Sequence, residues 1–169
     1  FYFIFFKKRE LFKQTLLVVI VLVIFVCIDS FYQFLNYTPE NGFGKDLLGF
    51  KSDWYGRLTG PFGDELIPGS YISKFGLLGY ACLISIKKFE NKIIFHSIYL
   101  SSILFISFIS GERMAFATFG LGLVFLFIFL DEFRKSIFLS IIIGIFLIFI
   151  TTYLHPSYND FKVVESTQY

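Results

Sequence analysis

The sequence predicts an all-α fold: a polytopic transmembrane helical bundle with about five spans, forming a single membrane domain over residues 1–169. Hydrophobic residues make up 56% of the chain, and its mean hydropathy is +0.70. Only 17% of the residues are charged, whereas a soluble domain carries about a quarter. The apolar residues occur in blocks separated by short charged clusters, a pattern typical of several membrane spans. These observations exclude an ordinary soluble enzyme, a secreted disulfide scaffold and a disordered tail.

The first predicted span covers residues 15–35, with its apolar centre at Leu16–Ile28. Its outer end is polar and contains Asp29, Ser30 and Gln33. Because Asp29 and Gln33 are four residues apart, a helix places them on one face. We expect them to bind a loop or a polar headgroup, or simply to lie in interfacial water at the helix end.

A polar loop, 36–70, is expected next, since glycines and three prolines interrupt this part of the chain. The second predicted span, 71–86, is short, and Lys74 suggests a partly unwound start or a lysine that snorkels outward. The remaining predicted spans and the final polar tail cover residues 93–109, 114–130, 136–154 and 155–169.

The predicted orientation follows from basic clusters, which favour the cytoplasmic side of a membrane. Such clusters precede the first span, separate the second from the third and separate the fourth from the fifth. The loop 36–70, the turn 111–113 and the tail from His155 are then extracytoplasmic. The basic residues concerned are Lys7, Lys8, Arg9, Lys13, Lys87, Lys88, Lys92, Arg134 and Lys135.

The chain begins with Phe1 rather than Met and stops in a polar stretch, so we expect it to lack residues at both ends. Cys27 and Cys82 lie in apolar runs and are predicted to be small buried hydrophobes. The net charge is +2, and with no compact basic module we expect no nucleic-acid partner. No metal-ligand spacing or nucleotide-binding motif occurs, so neither a metal nor another cofactor is expected.

Two arginines are the candidates for anion binding. Arg57 lies beside the turn formers Gly60, Pro61 and Gly63, and arginine near exposed turn amides can bind a phosphate. The alternative is an ordinary solvated loop in which Arg57 pairs with Asp64 or Glu65.

The second arginine lies in Ser110-Gly111-Glu112-Arg113, a connection so short that Arg113 must lie near the membrane surface. Ser110 is a good N-cap residue, which would put Arg113 in the first turn of the fourth span. A helix N-terminus and an arginine together favour an anion such as phosphate. A plain tight turn is the alternative, and Glu112 is free to pair with another helix because it cannot share a helix face with Arg113.

These motifs, in this order, resemble the O-antigen ligase family of bacteria, which also contains O-antigen polymerases. The resemblance covers most of the chain, from the first span to the start of the tail. It is carried by Asp29-x-x-x-Gln33, Gly49-Phe50, Arg57-Leu58-Thr59-Gly60-x-Phe62-Gly63-Asp64-Glu65-x-x-x-Gly69-x-Tyr71 and Ser110-Gly111-Glu112-Arg113.

The resemblance implies a glycosyltransferase of the GT-C type in the bacterial inner membrane, with its active site facing the periplasm. Its donor would be a glycan on undecaprenyl diphosphate. A ligase transfers that glycan to lipid A-core, while a polymerase extends another carrier-linked chain. The donor diphosphate would bind Arg57 and Arg113, with Asp29, Gln33, Glu65 and Glu112 as supporting residues.

The family's catalytic histidine lies in a large periplasmic loop, usually in a His-Asn-like motif. His155 does not match that motif, and His96 is better explained by packing at the inner end of the third span. We therefore expect no catalytic residue in this chain, a general base further downstream and no activity of the chain alone.

The competing hypothesis is a transporter or flippase for lipid-linked glycans. A transporter places charges near the bilayer midplane, often within internal repeats, whereas here the notable charges gather at one face.

If both arginines bind one diphosphate, the long loop must fold back over the bundle and bring their guanidinium groups to within roughly 10 Å.

Overall fold

The computed structural model describes residues 9–54, 56–85 and 92–156, and in these the chain is all-helical. Two isolated β-bridges occur in this part of the chain, and no strand. The all-α prediction is therefore confirmed. The five helices are α1 (Arg9–Leu35), α2 (Pro68–Ser85), α3 (Ile93–Ile109), α4 (Arg113–Phe129) and α5 (Arg134–Leu154).

Each predicted apolar segment forms one of these helices. Helix α3 has the predicted bounds, whereas α1, α2 and α5 begin a few residues earlier than the hydropathy pattern indicates, since polar residues can extend an end of an apolar helix. Several predicted features lie outside the described residues: Lys7, Lys8, the predicted end of the second span at Ile86, Lys87, Lys88, and the tail beyond residue 156.

Helix α3 is the centre of the bundle. It contacts each of the other four helices, and its buried residues include Leu100, Ile103 and Leu104. Close helix approach depends on small residues facing it. A Cβ added at Gly76 of α2 would lie 2.8 Å from Ile103 Cδ1, and one at Gly144 of α5 would run into the Leu104 side chain.

The outward faces of the helices are apolar. On α1, Val18, Val21 and Ile28 are more than half exposed, and α5 exposes a similar row of large hydrophobic side chains. Within the described residues, two segments are long and apolar enough to cross a membrane by length and composition, Gln14–Leu35 and Asp131–Leu154. Helices α3 and α4 are also apolar but are 17 residues long.

The helix ends alternate along the bundle, so that one end gathers the last residues of α1, α3 and α5 and the first residues of α2 and α4. The loop 36–67 covers this end, which we call the loop end. Ser97 and Ser136 meet at the other end, where the Ser97 hydroxyl donates to the Ser136 carbonyl at 3.0 Å. His96 is buried there between Tyr80 and Phe133, as its predicted packing role requires.

Candidate functional site

The site is built where the long loop returns to the loop end of the bundle. Gln33 of α1 is fully buried, and its Oε1 accepts hydrogen bonds from the Thr59 and Gly60 amides at 3.0 and 2.9 Å. Its Nε2 donates to Thr59 Oγ1 at 3.2 Å. This one amide group therefore binds the loop two and three residues after Arg57.

We expect Gln33→Leu to lower the free energy of unfolding by about 2–3 kcal/mol, because two buried loop amides lose their acceptor. Gln33→Glu keeps that acceptor and should recover part of the loss. Thermal unfolding in detergent micelles measures both variants. Gln14→Leu, at an exposed position of the same helix, is the matched control, and equal midpoints for Gln33→Leu and Gln14→Leu would contradict the contact.

Asp29 binds the loop at a second point. Its side chain is fully buried, and Oδ1 accepts a hydrogen bond from the Leu47 amide at 2.9 Å. Asp29 and Gln33 thus share a helix face and both bind the loop, one of the two roles that their spacing suggested. The alternative prediction, that they lie in interfacial water at the helix end, is wrong because neither side chain is exposed.

Glu112 binds the start of another helix. Its carboxylate accepts hydrogen bonds from the Gly69 and Ser70 amides at 2.9 and 3.1 Å and from the Ser70 hydroxyl. These amides belong to the first turn of α2, where a carboxylate satisfies unpaired donors and complements the helix dipole. The Glu112 carboxylate is therefore bound to α2 and forms no ion pair with Arg113.

Ser110 is not the N-cap of α4, so that prediction is wrong. It is the C-cap of α3 and donates its hydroxyl to the Ser107 carbonyl at 2.9 Å. Glu112 occupies the N-cap position of α4, but its side chain makes no capping bond there because it is bound to α2. Gly111 and Glu112 form the turn that reverses the chain between α3 and α4. Arg113 is still the first residue of α4.

The loop brings Arg57 against the α3–α4 turn. The Leu58 amide donates to the Ser110 carbonyl at 3.4 Å. A Cβ added at Gly111 would lie 2.9 Å from the Gly56 carbonyl oxygen and 3.3 Å from Arg57 Cγ. The stem of Arg57 thus passes directly over Gly111, two residues before Arg113. The loop is therefore folded back onto the α3–α4 turn.

Neither arginine is neutralised within the described chain. Both side chains are exposed, and the one ion pair between described residues joins Arg134 to Asp131. The alternative in which Arg57 pairs with Asp64 or Glu65 is therefore not observed. Arg57 is held by its backbone instead, because the Ser52 hydroxyl donates to its carbonyl at 2.7 Å.

The first amides of α4 add donors to the same place. The Phe116 amide donates to the Glu112 carbonyl at 3.1 Å, whereas the amides of Arg113, Met114 and Ala115 precede the first intrahelical acceptor. With two arginines and an uncapped helix start, this part of the loop end is suited to an anion that carries several oxygens.

The remaining predicted residues lie away from this contact. Glu65 is exposed, and its amide donates to the Phe62 carbonyl at 3.3 Å. Cys27 and Cys82 are buried free thiols, as predicted. Among residues 9–54, 56–85 and 92–156, no three His, Cys, Asp or Glu side chains are grouped so as to hold a metal ion.

Sequence reasoning missed the roles of Ser52 and Ser70, because a hydroxyl that binds a distant backbone has no sequence signature. It also missed the position of His155. The His155 ring stacks on Phe34 with centroids 4.0 Å apart and lies 5.7 Å from the Tyr37 ring. This contact attaches the end of α5 to the end of α1.

Burial lowers the pKa of His155 from its usual 6.5, and a hydrogen bond with the Phe34 backbone acts in the opposite direction. The folded protein therefore binds this proton more weakly than the unfolded chain does. The stabilising effect of His155 should be complete above pH 6.5 and should be lost as the pH falls through the lower folded-state pKa. Thermal midpoints between about pH 8 and about pH 5 measure this loss. His155→Phe should lack this component, and identical pH profiles for the two proteins would contradict it.

Comparison with known proteins finds no matching family model, no matching curated protein and no matching solved structure.

Proposed function

We propose that the chain is part of a glycosyltransferase resembling the O-antigen ligases. The enzyme moves a glycan from undecaprenyl diphosphate to lipid A-core at the periplasmic face of the bacterial inner membrane. One observation carries this proposal. Arg57 and the α3–α4 turn that leads into Arg113 are in contact at one end of the bundle, and no described carboxylate is paired with either arginine.

A bilayer environment, with about five spans, is supported by the surface of the helices. A soluble protein rarely exposes contiguous apolar patches larger than a few hundred Å². Here Phe125 and Phe129 of α4 and Phe146 and Phe149 of α5 are all at least 60% exposed. Lipid is the environment in which such side chains are stable. At 17 residues, α3 and α4 reach the lower length limit for crossing a bilayer core of about 30 Å.

The mechanism would be direct displacement at the anomeric carbon of the donor glycan. An acceptor hydroxyl oxygen forms the new bond, the bond to the carrier diphosphate breaks, and negative charge develops on the leaving diphosphate. Preorganised donors directed at developing charge lower the barrier. Arg57, Arg113 and the α4 amides would supply them. The general base that removes the hydroxyl proton would come from a histidine outside this chain.

The ligase function has two alternatives. A polymerase of the same family would share the diphosphate site and differ in its acceptor. A transporter of lipid-linked glycans would need no bond cleavage and would hold its charges near the bilayer midplane. The two arginines at the loop end favour chemistry at one membrane face over transport.

Orientation can be tested by cysteine labelling in intact cells, in a background with Cys27→Ala and Cys82→Ala. We expect Trp54→Cys, on the long loop, to react with a membrane-impermeant maleimide and Glu90→Cys to be protected until the cells are permeabilised. The reverse pattern would place the loop in the cytoplasm and overturn the periplasmic site.

The reaction is tested with the purified full-length protein, a glycan on undecaprenyl diphosphate and either lipid A-core or a second carrier-linked glycan. Ligase activity gives glycosylated lipid A-core and free undecaprenyl diphosphate. Polymerase activity lengthens the second glycan instead. Movement of the donor between leaflets of a proteoliposome, with no release of the diphosphate, would replace the enzyme proposal with the transporter.

A further inference from the structure

The long loop contains a tight turn between Lys45 and Lys51, which form an antiparallel bridge. Inside it, the Asp46 amide donates to the Phe50 carbonyl at 2.8 Å, and the Phe50 amide donates to Asp46 Oδ1 at 2.7 Å. Gly49 has φ +92°, a left-handed conformation that favours glycine. The Asp46 side chain is buried inside the turn, so the shape of the turn is set from within.

The tip of this turn is apolar and exposed. Leu47, Leu48 and Phe50 are 49%, 55% and 46% exposed. Lys45 and Lys51 flank them, and both lysines are also exposed. Within the described chain neither lysine forms an ion pair, because the one acid between them, Asp46, faces inward. The turn therefore presents an apolar knob with a basic rim.

The turn is held beside an apolar helix and does not project away from the bundle. The Leu47 amide donates to Asp29, six residues before the end of α1, which corresponds to about 9 Å along the helix axis. The Asn36 Nδ2 also donates to the Lys45 carbonyl at 3.1 Å. At the same depth α1 exposes Ile28 and Tyr32. The knob is thus level with lipid-facing side chains.

We propose that the 45–51 turn inserts into the headgroup region of the outer leaflet, with its apolar side chains among the first acyl carbons and its two lysines on anionic phospholipid phosphates. Apolar side chains flanked by basic residues match the chemistry of such a surface. This inference rests on the membrane orientation in the proposed function. It gives the turn the role of a lipid anchor that holds one side of the loop carrying Arg57.

The test uses tryptophan as a depth probe, because Trp54 is the single tryptophan of the chain. In a Trp54→Phe background, Leu48→Trp reports on the knob and Ile28→Trp on the lipid-facing side of α1 at the same depth. Asp53→Trp, at an exposed charged position of the same loop, is the aqueous control. Each protein is reconstituted in nanodiscs of phosphatidylglycerol brominated near the carbonyl end of its chains.

We expect brominated lipid to reduce the emission of Leu48→Trp by about twofold and to leave that of Asp53→Trp nearly unchanged. Adding Lys45→Glu and Lys51→Glu should weaken the quenching of Leu48→Trp in phosphatidylglycerol much more than in phosphatidylcholine. Quenching at Ile28→Trp without quenching at Leu48→Trp would overturn the lipid anchor and leave the membrane fold unaffected. Absence of quenching both at the knob and on α1 would overturn the membrane fold as well. A Leu48→Trp probe shielded from both lipid and aqueous iodide would show that protein covers the turn, which also overturns the anchor.

Discussion

Replacing Arg113 with alanine is expected to lower the rate of glycan transfer by about 10²–10³-fold, because a charged donor directed at the leaving group contributes about 3–4 kcal/mol to transition-state stabilisation. Arg113→Lys keeps the charge but loses the planar pair of donors, so it should recover only part of the rate. Arg57→Ala should show a loss of similar size if both residues bind one diphosphate. The measurement is kcat and KM for transfer by the full-length protein.

Arg134→Ala is the matched control for these variants. Arg134 is also an arginine at the start of a helix, but it lies at the opposite end of the bundle and pairs with Asp131. Its loss should leave transfer within about twofold of the wild type, since an exposed pair contributes little. If Arg113→Ala also retained transfer within about twofold, the diphosphate role would be wrong, and the α3–α4 connection would be an ordinary tight turn.

Gly111→Ala is expected to destabilise the contact between the loop and the α3–α4 turn. Gly111 has φ +78°, which a residue with a side chain adopts only at a cost, and the added carbon would meet the backbone oxygen of Gly56. We expect the free energy of unfolding to fall by about 3 kcal/mol, from backbone strain and the displaced loop together. Because Arg57 follows Gly56, donor affinity should fall with it.

Gly120→Ala gives the comparison. Gly120 lies inside α4, and a Cβ there would have no neighbour within 4 Å. This variant should be unchanged or more stable by about 0.5–1 kcal/mol, because alanine is the better helix former. Thermal or denaturant unfolding in micelles measures both variants. A Gly111→Ala protein as stable as Gly120→Ala would mean that the loop does not rest on the turn.

Much of the fold follows from local sequence. The apolar blocks predicted five helices, because each apolar run is too long for an ordinary strand. The same holds for one part of the site. Asp29 and Gln33 are four apart, so helix geometry alone puts them on one face, and both bind the loop. The turn before α4 was also predictable, because only a few residues separate the two apolar segments that it joins.

The tertiary structure decided what the polar residues of the turn and loop do. Ser110 has the composition of an N-cap, but the chain reverses after it and gives that position to Glu112. The Glu112 side chain binds the amides of α2 instead of capping its own helix, and those amides are far away in sequence. No local pattern reports such a partner, because its free energy comes from groups that meet only after the helices pack.

Arg57 shows the same division most clearly. By sequence, Asp64 and Glu65 are its nearest acids after the turn, and a local ion pair was a reasonable alternative. In the folded chain, Gln33 and Ser110 fix the backbone next to Arg57, and its side chain lies over Gly111. The sequence alone showed that Arg57 lies in a loop interrupted by glycine and proline. Its place beside the start of α4 depends on buried hydrogen bonds between distant segments, which outweigh a weak solvated ion pair.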